Sequence, residues 1–132
     1  MFRAASTLVA RGLRERGLFC LAPQNIVEFA AVATRGRLAK PALSAGKAAE
    51  MSETLFKSRK MGKIYAARGT VLRAVREGGE LGLVGPAWYD MFLAMTMKDA
   101  GVKAIVTENR RDFTGIRGIT VFGIAEAAGL LE

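Results

Sequence analysis

The chain contains no histidine. That removes His-based triads, His zinc sites and imidazole acid–base work from consideration. Its single cysteine, Cys20, cannot close an internal disulfide, and it sits in an apolar stretch where a buried inert thiol is the default. Both points favour a reducing, cytoplasmic setting. No uninterrupted apolar run approaches the ~18 residues of a membrane span, so no membrane partner is expected. Acids are scarce in the first half, and no aspartate occurs before Asp90.

What is present is a basic, apolar-rich chain of 132 residues with a net charge of +8 and a hydrophobic fraction of 51%. That balance describes one globular domain over 1–132, with 123–132 as a tail. The positive surplus points to a polyanionic partner such as RNA, against the plainer reading of a merely soluble basic surface. The Arg-rich, acid-poor opening MFRAASTLVARGLRERGLF also suits a targeting peptide.

Ala5, Leu8, Val9 and Leu13 recur near helical period, predicting a helix over 2–16 that ends at Gly17. The run 18–22 reads as a buried strand. Pro23 then opens a helix at its first position, with Ile26, Phe29, Ala30 and Ala33 as its core stripe and an end near Gly36. Ser44 caps a helix through about Lys57. Residues 58–69 are ambiguous, with a short strand at 63–66. Thr70 caps a short helix over 71–77, stopped by Gly78-Gly79. Gly85-Pro86 opens another helix that stops at Gly101. Residues 104–107 and 119–122 read as buried strands. This alternation predicts an α/β fold, a parallel sheet covered by helices.

Without histidine, a nuclease has to work through metal, and Mg²⁺ favours oxygen ligands. In open α/β sheets ligands gather at the C-terminal strand edge. Three acids are placed for that edge. Glu28 follows the first strand and shares a polar face with Gln24 and Arg35. Asp90 opens a helix otherwise made of Trp88, Met91, Phe92, Leu93 and Met95, where an acid needs a partner or a metal. Asp112 lies past a strand in TENRRDF, near Asn109. Each has an ordinary reading: an exposed helix glutamate, a helix-dipole partner, or turn residues.

Two blocks carry a family likeness. LAPQNIVEFAAVATR (21–35) and GPAWYDMFLAMTMKDAGVKAIVTENRRDFTGIRGITVF (85–122) resemble the strand–helix unit and the second half of PIN-domain proteins of the VapC-like toxin class. The resemblance covers roughly 4–122 and is weak over 58–80. It implies a three-layer α/β/α sandwich around a parallel sheet, Mg²⁺- or Mn²⁺-dependent RNA cleavage, a small antitoxin partner and a homodimer. It assigns the metal site to Glu28, Asp90 and Asp112, with Asn109. Thr107 would support the loop, and Arg35, Arg110 and Arg111 would meet phosphates. The family also begins with a central strand ending in aspartate. Here the chain opens at a helix, so the expectation is a sheet without that strand and metal binding weakened by one ligand. The alternative expectation is an impaired module that binds RNA or an antitoxin without cutting.

Overall fold

The computed structural model describes residues 2–36 and 41–131. The described chain is mixed α/β: helices α1 (Phe2–Arg14), α2 (Pro23–Ala33), α3 (Ala45–Lys57), α4 (Arg68–Leu81), α5 (Ala87–Asp99), α6 (Arg111–Thr114) and α7 (Ile124–Leu130), with strands β1 (Cys20–Leu21), β2 (Gly62–Lys63), β3 (Ala104–Val106) and β4 (Thr120–Phe122). It divides into two compact units, one of Ala10–Ile64 and one of the residues up to Val9 and from Tyr65 on. Among the described residues no helix is long and apolar enough to cross a membrane.

In the unit Ala10–Ile64, β1 and β2 pair in parallel, with Cys20 opposite Gly62 and Leu21 opposite Lys63. The pairing extends on both sides of the strands: Gly17 N–H donates to Lys60 O at 3.0 Å and Ile64 N–H to Leu21 O at 3.0 Å. The last turn of α1 is packed directly on this ribbon. A Cβ on Gly12 would lie 2.6 Å from Met61 Cε and 2.8 Å from Phe19 Cδ2, so only glycine leaves room there. Gly17, at φ 79°, turns the chain out of α1 in the left-handed region that glycine adopts without steric cost.

Helix α2 begins at Pro23, whose missing N–H costs nothing in the first turn. The Asn25 side chain accepts from the Ala22 N–H at 2.8 Å, satisfying a donor just outside the helix. The expected stripe of Ile26, Phe29, Ala30 and Ala33 is turned inward, but only Ala33 is fully buried. Helix α3 packs against α2 and spans Ala45–Lys57, with the Ser44 hydroxyl accepting from Lys47 N–H at 3.1 Å. Ser44 is thus the N-cap that the sequence proposed.

In the other unit, α4 packs along α5, and Ala74, Met91 and Met95 form a buried cluster joined by Leu83, Phe92 and Ile116. The sequence reading of a helix over 71–77 stopped by Gly78-Gly79 is corrected here, because α4 runs Arg68–Leu81 straight through both glycines. The stop is Gly82 at φ 65°. Gly82 N–H donates to Gly79 O at 3.2 Å and Leu83 N–H to Gly78 O at 3.0 Å, the paired bonds of a Schellman terminus.

Strands β3 and β4 pair in parallel, with Ala104, Ile105 and Val106 opposite Thr120, Val121 and Phe122. The expected strands at 18–22, 104–107 and 119–122 are therefore present but shorter, and they are half-buried to exposed, not buried as expected. Among the described residues they form two separate two-stranded sheets instead of one continuous sheet. Strands of two or three residues offer few backbone bonds, so helix packing carries most of the order. Residues 2–9 are helical, as the periodicity predicts.

Candidate functional site

The best-organised polar region lies at the C-terminal ends of β3 and β4. Thr107 N–H donates to Phe122 O at 2.9 Å, carrying the strand pairing one residue past β3. The Thr107 hydroxyl accepts from Asn109 N–H at 3.1 Å, which closes the turn that leaves the strand. Asn109 O then accepts from Asp112 N–H at 3.1 Å, and Arg110 O accepts from Phe113 N–H at 3.1 Å. These bonds wind the segment into the single turn of α6, a helix where the sequence suggested only a turn. Phe113 is its anchor, 4% exposed. With Phe113 buried, Asn109 and Asp112 remain at the surface.

A second set of bonds ties this turn to the start of α7. Glu108 Oε1 accepts from Ile124 N–H at 2.9 Å. Glu126 Oε1 accepts from Gly123 N–H at 3.1 Å, and the same carboxylate pairs with the Arg110 guanidinium. A Cβ on Gly123 would sit 3.4 Å from the Arg110 side chain, so the glycine admits the guanidinium against the backbone. The carboxylates satisfy N–H groups at a helix start, where the dipole also favours them. Glu108 and Glu126 escaped the sequence reading. An acid three residues after a helix-opening glycine, the half of a capping box that reaches back to the N-cap N–H, was the signal that could have found the second.

Asp90 lies in the first turn of α5 and is half-buried. Helix α5 packs against α6, and Ile116, just beyond α6, joins the cluster of Met91 and Met95. The fold therefore places Asp90 and Asp112 on two packed elements of one unit. Glu28 belongs to the other unit, exposed on α2, where Gln24 Nε2 donates to its Oε1 at 3.1 Å. Arg35 is exposed beyond the end of α2. Of the arginines proposed for phosphates, Arg110 is already engaged by Glu126, and Arg111 is exposed at the start of α6. Among the described residues no group of three or more acidic or cysteine side chains is arranged to hold a metal ion.

No protein-family model and no curated protein sequence matches the chain.

Two further features of this unit were not anticipated. The buried Thr70 hydroxyl accepts from Ala67 N–H at 3.0 Å and donates to the Asp99 carboxylate, which also pairs with Arg73. This joins the start of α4 to the end of α5. Between the same helices runs an open apolar groove lined by Val71, Ala74, Val75, Trp88, Tyr89 and Phe92. It has no carboxylate in its wall and does not belong to the strand-end site.

Proposed function

We propose that this chain is a PIN-like, metal-dependent endoribonuclease, the toxin component of a toxin–antitoxin pair, built on a three-layer α/β/α architecture. One observation carries the reading. Thr107, Asn109 and Asp112 are wound into a braced turn at the C-terminal end of a parallel strand pair, beside the helix that bears Asp90. The strand end is where open α/β sheets gather ligands.

The donor set is chemically suited to Mg²⁺ or Mn²⁺, since Asp90 and Asp112 offer only carboxylate oxygen and Asn109 adds an amide. Mg²⁺ keeps several of its waters and commonly takes one or two carboxylates, so a cage of three acids is not a requirement. When bound, the ion would lower the pKa of a water and offset charge on the phosphate. The chain's own part is to hold Asp112 and Asn109 at fixed spacing through the Thr107 turn and to present Asp90 from a helix start. Arg111 and Arg35 are exposed at the surface, and Arg110 holds the turn in place through Glu126.

A second reading has its own support: the carboxylate of Glu28, the third expected ligand, already accepts from Gln24 Nε2 at 3.1 Å along α2. The chain would then bind RNA or an antitoxin without cutting. A cleavage assay on labelled RNA, with Mg²⁺ or Mn²⁺ and with EDTA, separates the two. The nuclease reading expects cleavage that EDTA abolishes and that Asp90→Asn reduces by about a hundredfold or more. Cleavage in EDTA, or full activity of Asp90→Asn, would sink the metal-site assignment. Metal-insensitive RNA binding with no cleavage would favour the second reading.

A further inference from the structure

The unit Ala10–Ile64 carries a concentration of positive charge that the strand-end site does not use. Residues 11–20 and 57–63 hold seven basic side chains against one acid, Glu15. The two segments are far apart in sequence. The fold lays them side by side through the Gly17–Lys60 backbone bond at 3.0 Å, the Gly62–Phe19 bond at 2.9 Å and the β1–β2 pairing. Arg16 and Gly17 therefore adjoin Arg59 and Lys60 across neighbouring backbones.

Three of the seven cations are already occupied. Arg11 pairs with Glu15 at 2.7 Å and Lys57 with Glu53 at 3.4 Å. Lys63 folds inward, donating to Met61 O at 2.8 Å and to Ser58 O, with its ammonium 5.9 Å from the Phe56 ring centroid. Arg14, Arg16, Arg59 and Lys60 are exposed, and none is ion-paired with a described residue. The helix dipole accounts for a cation at the C-terminus of α1, such as Arg14. It does not account for Arg16, Arg59 or Lys60.

We propose that Arg14, Arg16, Arg59 and Lys60 form a docking surface for the phosphate backbone of nucleic acid. This rests on the RNA-directed reading above and adds a second contact region to it. The chemistry around the four selects this partner over others. Among the described residues, every large apolar side chain that is strongly exposed lies outside 11–20 and 57–63. Protein interfaces rely on aromatic or aliphatic anchors at their centre, and amphipathic membrane contacts bury an apolar face. A patch of guanidinium and ammonium groups without such anchors matches a ligand recognised by its repeating charge. Such contacts position a strand without reading its bases.

The test is binding of the full chain to fluorescein-labelled 20-nucleotide oligo(U) and oligo(dT), by anisotropy, in EDTA at 50 and 200 mM salt. The triple variant Arg16→Gln/Arg59→Gln/Lys60→Gln removes three contacts. Each contact to a single strand contributes ~0.7 to the slope of log affinity against log salt, so the slope should flatten by about 2 and affinity at 50 mM fall about tenfold or more. The control variant Arg68→Gln/Arg76→Gln/Arg117→Gln removes the same charge elsewhere and should change affinity less than about threefold. Circular dichroism of both variants confirms folding. Equal losses for oligo(U) and oligo(dT) support a backbone-only surface.

Equal losses in the patch and control variants would overturn the proposal, since net charge alone would then explain binding. So would an unchanged patch variant, or displacement of RNA by poly-glutamate or by phosphatidylserine vesicles at equal charge concentration. Because EDTA removes any metal requirement, failure here is distinct from failure of the cleavage assay. A dead nuclease with intact patch-dependent binding refutes only the catalytic reading, and an active one with no patch effect refutes only this surface.

Discussion

Gly78 and Gly79 are neighbours in the last turns of α4, yet alanine should act in opposite directions at the two positions. In a helix, glycine to alanine gains about 1 kcal/mol from backbone entropy alone. At Gly79 a new Cβ meets nothing within 4 Å, so most of that gain should be realised, roughly 0.5–1 kcal/mol. At Gly78 the Cβ would fall 2.6 Å from Trp88 Cζ3 and 2.8 Å from Cε3. The indole is a rigid plate, and its edge is pinned: Trp88 Nε1 donates to Leu83 O at 2.9 Å. Leu83 N–H in turn donates to Gly78 O at 3.0 Å. Moving the ring aside therefore strains the bond to Leu83, a net loss of about 1 kcal/mol. Overpacking adds about 1–3 kcal/mol. Set against the propensity gain, Gly78→Ala should be destabilised by about 1–3 kcal/mol. Trp88 is the only tryptophan, so its fluorescence reports this helix pair directly during urea unfolding. With a slope of about 1–3 kcal/mol per molar urea, the Gly78→Ala midpoint should fall by about 1 M while that of Gly79→Ala rises slightly. Equal shifts for the two variants would refute the reasoning, and so would a stabilised Gly78→Ala.

Thr70→Val keeps the shape of the side chain but leaves the Ala67 N–H and the Asp99 carboxylate without the hydroxyl that links them. It should cost about 1–3 kcal/mol in the same urea titration, while Thr70→Ser should recover most of the loss. Burial raises the pKa of the Cys20 thiol, so thiolate is scarce at neutral pH. Iodoacetamide should modify Cys20 more slowly than a free thiol at pH 7.5; faster reaction would contradict that environment. The same shift has a sign in stability: the unfolded thiol ionises first, so the contribution is complete below the unfolded pKa. It is lost as pH rises through the folded one, on the alkaline side of the ordinary thiol range.

Helix positions were legible in the sequence wherever a local rule governed them. Pro23 at the start of α2, Ser44 before α3 and Gly17 after α1 act through their own backbone or side chain within a few residues. The period of apolar residues likewise marked 2–9 as helix. Gly78-Gly79 misled because the propensity penalty is local, whereas the compensation is tertiary: Trp88 occupies the space above Gly78. The strands β1, β3 and β4 were recognised as apolar runs, whereas β2, at Gly62–Lys63, fell in an ambiguous stretch, and the pairing of all four was not legible. Cys20 opposite Gly62 and Ala104 opposite Thr120 are partners chosen by the packing of distant segments.

The candidate site divides along the same line. Composition removed histidine chemistry and directed attention to the acids Glu28, Asp90 and Asp112, because carboxylates are the remaining hard-cation ligands; the fold sets Glu28 in a different unit from the other two. The sequence also marked Arg110 as a cation for phosphate, since charge is all a one-dimensional reading sees. Only the tertiary structure turned that guanidinium toward Glu126 and brought Arg16 beside Arg59 and Lys60. A charge is a property of the residue, but its availability depends on which carboxylate or carbonyl the fold sets within reach.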